Sequence, residues 1–96
     1  MDRAAIRIVL FSPFKELIGQ ENLEIPASGP LTVEEILRDI ARAYPGLKKF
    51  LPEAKDEVIF WGNIVPIKND VLLKPGAKVE PGDTIYLYPP LSGGAA

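Results

Sequence analysis

Hydrophobic and polar positions alternate near both ends of this chain and follow a helical stripe between them. Ala5 to Ser12 reads as a strand with Ile6, Ile8 and Leu10 on one face and Arg7, Val9 and Phe11 on the other. Pro13 stops it. A compact connection over Phe14 to Gln20 leads to a second short strand near Glu21 to Ile25, bounded by Gly19 and Pro26. Two strands joined this closely are most simply an antiparallel hairpin. Thr32 then opens a helix, and Glu35 three residues later completes a capping box in which each side chain satisfies a backbone N–H at the helix start. Val33, Ile36, Leu37, Ile40, Ala41 and Tyr44 fall along one stripe. Glu34 stands four residues before Arg38, a favourable ion-pair spacing. Pro45-Gly46 ends the helix, and Leu47, Phe50 and Leu51 suit one further turn before Pro52.

Strand signals return in the last third. Val58 to Trp61 is expected to be a strand, Gly62-Asn63 a turn, and Ile64 to Ile67 a partner strand. Lys74-Pro75-Gly76 and Glu80-Pro81-Gly82-Asp83 are two turn signals separated by Ala77, Lys78 and Val79. Thr84 to Tyr88 is the last strand, with Ile85 and Leu87 facing one way and Thr84, Tyr86 and Tyr88 the other. One amphipathic helix and several short strands imply an α+β roll, the helix stripe buried against one face of a single sheet. Residues 1–88 are expected to form this one domain, and residues 89–96 a flexible tail.

Composition mainly excludes. Among 96 residues there is no Cys and no His, so disulfides, thiolate or imidazole metal sites, a cysteine nucleophile and a Ser-His-Asp triad are unavailable. Catalysis by the chain alone is not expected, and no bound cofactor is. A formal net charge of −2 argues against a nucleic-acid backbone as partner. No apolar run approaches the roughly 20 residues that cross a bilayer, and no signal-peptide pattern opens the chain, so a cytoplasmic protein is expected.

The remaining feature is the tail, Pro89-Pro90-Leu91-Ser92-Gly93-Gly94-Ala95-Ala96. Glycine lacks a Cβ, so Gly93-Gly94 can thread a channel too narrow for other residues and present a carbonyl carbon to another protein's active site. Pro89 and Pro90 stiffen its root, which reduces the ordering entropy lost on insertion. Leu91 to Gly94, fully extended, reaches about 13 Å.

Two stretches resemble the MoaD/ThiS-type β-grasp sulfur-carrier family, which includes the small subunit of molybdopterin synthase. Near the start these are Val9-Leu10-Phe11-Ser12 followed by Lys15-Glu16-Leu17-Ile18-Gly19. Near the end they are Pro81-Gly82-Asp83 followed by Thr84-Ile85-Tyr86-Leu87-Tyr88-Pro89-Pro90-Leu91-Ser92-Gly93-Gly94. The second is the more specific, because strand, diproline, small hydrophobe and Gly-Gly occur in order. The resemblance implies a ubiquitin-like β-grasp roll, a mixed sheet of four to five strands on one main helix.

It also implies a chemistry. A ubiquitin-activating-like adenylating enzyme uses ATP and magnesium to convert the terminal glycine carboxylate into an acyl adenylate, and persulfide sulfur displaces AMP to leave a thiocarboxylate. The acceptor implied first is the large catalytic subunit of molybdopterin synthase, with molybdenum- or tungsten-pterin synthesis as the pathway. tRNA thiolation and thiamine synthesis are other destinations. On this reading Gly94 is the reactive position, beside Gly93, and Pro89, Pro90, Leu91 and Ser92 present it. Phe11, Lys15, Tyr86 and Tyr88 are the expected partner contacts, with Lys15 standing where the family often has arginine. Because Ala95 and Ala96 follow Gly94, a processing protease is a further expected partner.

Two readings of another kind remain open at the sequence level. The same activated Gly94 carbonyl could acylate a target lysine, making the chain a ubiquitin-like modifier. Alternatively the domain is an interaction module with no tail chemistry, in which Tyr86 and Tyr88 simply cover the sheet.

Overall fold

The computed structural model describes residues 4–51 and 62–90. Strand β1 (Ala5–Leu10) is followed by a one-turn helix α1 (Phe14–Ile18) and strand β2 (Asn22–Pro26). A two-residue strand β3 (Leu31–Thr32) leads directly into helix α2 (Val33–Ala43), and a 3₁₀ segment follows over Pro45–Phe50. Strands β4 (Val65–Lys68), β5 (Val71–Leu72), β6 (Lys78–Val79) and β7 (Thr84–Tyr88) complete the order.

The main sheet has the order β2-β1-β7-β4-β5. Its centre is a parallel pair formed by β1 and β7, in which Ile8 opposes Ile85 and Leu10 opposes Leu87. Parallel neighbours require a long crossover, and the intervening chain, with α2, supplies it. β2 pairs antiparallel with β1, while β4 pairs antiparallel with both β7 and β5. The sheet is therefore mixed and five-stranded, as the family resemblance implied. The expectation of a single sheet needs one correction, because β3 and β6 form a separate two-stranded ladder, Leu31 opposite Val79 and Thr32 opposite Lys78.

Helix α2 begins where the sequence places it. Thr32 Oγ1 accepts the Glu35 N–H at 3.1 Å, and the Thr32 N–H donates to Glu35 Oε1 at 2.9 Å. Removing such a cap typically costs about 1 kcal/mol. The stripe Val33, Ile36, Leu37, Ile40 and Ala41 is buried against Ile6, Ile8, Leu10, Ile85 and Leu87 of the two central strands. Glu34 and Arg38 pair at 2.9 Å on the outer side. Phe14 and Ile18 of α1 and Leu47 of the 3₁₀ segment close one end of this core, with Phe14 and Phe50 packed edge to face at 5.1 Å.

Three segments differ from the sequence reading. β1 ends at Leu10 rather than Ser12, because the Phe11 carbonyl accepts the Lys15 N–H at 3.0 Å and so belongs to the turn into α1. β5 is a strand that the sequence reading did not include. It is reached through Asn69 and Asp70, both with positive φ (51° and 63°), the backbone twist of a tight two-residue hairpin. The expected strand from Val58 to Trp61 lies outside the described residues. The expected partner segment from Ile64 to Ile67 is strand from Val65 onward, while Ile64 is fully buried in the core.

Candidate functional site

The face of the sheet turned away from α2 carries the site. In β7 the inward residues Ile85 and Leu87 are 1% exposed, whereas Tyr86 and Tyr88 are each 39% exposed on the opposite face. Alternation along the strand forces this division. Parallel pairing sets Val9 beside Tyr86, and antiparallel pairing sets Ile67 beside Tyr86 and Val65 beside Tyr88. These neighbours are all half-buried. Leu72, opposite Ile67 in β5, extends the apolar band to the far edge of the sheet and is 40% exposed.

Phe11 joins the band from the end of β1. Its ring lies 4.6 Å from that of Tyr88 with planes only 7° apart, and 6.5 Å from that of Tyr86 at 23°. Such stacks contribute about 0.5–1.5 kcal/mol beyond the area they bury. Lys15 is half-buried on α1, and its backbone N–H is bonded to the Phe11 carbonyl. The turn is closed by Gly19, whose left-handed backbone (φ 84°) lets its N–H return to the Lys15 carbonyl. Ser12 Oγ donates to Glu16 Oε2 at 2.9 Å within the same turn.

Of the residues singled out from the sequence, Phe11, Tyr86 and Tyr88 thus form one stacked cluster, with Lys15 held to it through the backbone. Pro89 and Pro90 are half-buried directly after the last strand. Leu91, Ser92, Gly93 and Gly94 lie outside the described residues. The sequence reading did not include Val65, Ile67 and Leu72, which widen the patch. Alternation in Val65-Pro66-Ile67 was its only available sign, and Leu72 required the Asn69-Asp70 hairpin to be recognised.

The opposite end of the same face is polar. Arg7 faces Glu24 at 3.4 Å, with both side chains more than half exposed. Asp83 accepts from the Glu80 N–H and from Lys68 Nζ, each at 2.9 Å. The backbone donor first, and the lysine second, hold its carboxyl below the usual carboxylate range. Asp83 thereby fixes the Gly82 turn before β7 and ties it to β4. Among the described residues no group of three or more acids could hold a metal ion, and no helix is long and apolar enough to cross a membrane.

A mixed five-stranded sheet wrapped on one helix, with the first and last strands parallel at its centre, defines a ubiquitin-like β-grasp protein. The chain is similar over most of its length to two small archaeal modifier proteins, and its fold to that of solved structures. Small archaeal modifier protein 3 of Haloferax volcanii is 28% identical over 91 residues, covering 93% of this chain and 98% of the relative. Small archaeal modifier protein 1 of the same organism is 27% identical over 85 residues, covering 88% and 95%. Among solved structures, a Pyrococcus furiosus protein provisionally assigned as molybdopterin converting factor, subunit 1, superposes with a TM-score of 0.74 at 19% identity over 92% of this chain and 99% of its own. No protein-family model matches the chain.

Proposed function

We propose that this protein is a sulfur carrier whose Gly94 carboxylate, once exposed, is adenylated and converted to a thiocarboxylate by partner enzymes. A carboxylate is a poor electrophile. Its attack on the α-phosphorus of ATP expels pyrophosphate and gives a mixed anhydride, whose carbonyl carbon a persulfide sulfur can attack with AMP as leaving group. Cleavage of the resulting acyl disulfide by a thiol leaves the thiocarboxylate on Gly94. ATP and magnesium belong to the partner in this scheme, and the carrier contributes the acyl group and a docking surface.

The observation that carries the reading is the position of the Phe11–Tyr88–Tyr86 cluster at the root of the tail. An exposed aromatic patch is the common mark of a protein partner, and here it borders the residues that lead to Gly93-Gly94. Pterin-cofactor synthesis is the destination proposed, with the large subunit of the synthase as acceptor, on the likeness of the last strand and tail to that branch. Incubating the chain ending at Gly94 with an adenylating enzyme, ATP, magnesium and a persulfide donor tests it: intact mass should rise by the oxygen-to-sulfur difference.

A second reading, conjugation of Gly94 to lysines of other proteins, is favoured by the names of the two modifier relatives. It shares the adenylation step and differs in the nucleophile, so branched lysine adducts distinguish it from the thiocarboxylate.

A further inference from the structure

We draw no further inference here: the strongest candidate, the lysine patch of Lys15 on α1 with Lys48 and Lys49 on the 3₁₀ segment packed beside it, is offset by the acids Glu16 and Glu21 at the same end of the fold, and nothing in the structure shows what covers it.

Discussion

The Phe11 ring lies flat against the Tyr88 ring, 4.6 Å between centroids and 7° from parallel, and so couples the end of the first strand to the last residue before the diproline. Strand pairing alone does not do this, since the β1–β7 register is defined only from Arg7–Thr84 to Leu10–Leu87. The stack extends the link by one further step, to the root of the tail.

Phe11→Ala and Tyr88→Ala should therefore not be independent. A double-mutant cycle in urea is expected to give a coupling free energy of about 0.5–1.5 kcal/mol. Each single variant should also raise the KM for adenylation by the partner more than it lowers kcat, because the patch is assigned to docking rather than chemistry. A coupling indistinguishable from zero would mean that the rings touch without supporting one another.

Loss of the cap at Thr32 tests the local logic of the helix. Thr32→Ala should lower the unfolding free energy by about 1 kcal/mol, read from the shift in urea midpoint at unchanged m-value. The outer sheet face is remote from this cap, so partner docking should be unaffected.

Asp83 makes stability depend on acid pH in one direction. Folding favours its ionised form, so its contribution is complete above the unfolded carboxylate value of about 4 and disappears as pH falls through the lower folded value. The unfolding free-energy gap between the natural chain and Asp83→Asn should be constant from pH 7 to about 5 and then narrow below about 4. A gap that widens on acidification contradicts the assignment.

The β4–β5 hairpin turns through two non-glycine residues with positive φ, Asn69 and Asp70. Asparagine tolerates that backbone and aspartate does so less readily than glycine. Asp70→Gly is expected to raise the unfolding free energy by about 0.5–1 kcal/mol, measured by thermal or urea denaturation.

That hairpin also marks the limit of what the sequence disclosed. The capping box, the stripe from Val33 to Ala41 and the two-faced strand from Thr84 to Tyr88 were legible because each repeats a period over several residues. β3, β5 and β6 are two residues long and repeat nothing, so β3 and β6 are revealed only by their pairing across a long stretch of chain, and β5 only by the hairpin through Asn69 and Asp70. The parallel β1–β7 pair was likewise not contained in either strand's own pattern. At the site, alternation placed Phe11, Tyr86 and Tyr88 on one face, but the near-parallel stacking of Phe11 on Tyr88 depends on where β1 stops. It stops at Leu10 because the Phe11 carbonyl is drawn into the turn toward Lys15.

The central claim concerns Gly94, and intact mass spectrometry of the protein recovered from its native cells tests it most directly. The account predicts a species ending at Gly94 with one oxygen replaced by sulfur, lost in the Gly93→Ala and Gly94→Ala variants although both remain folded. Thiocarboxylate persisting in both glycine variants, or a pool that stays unmodified when the adenylating enzyme is supplied, would contradict it.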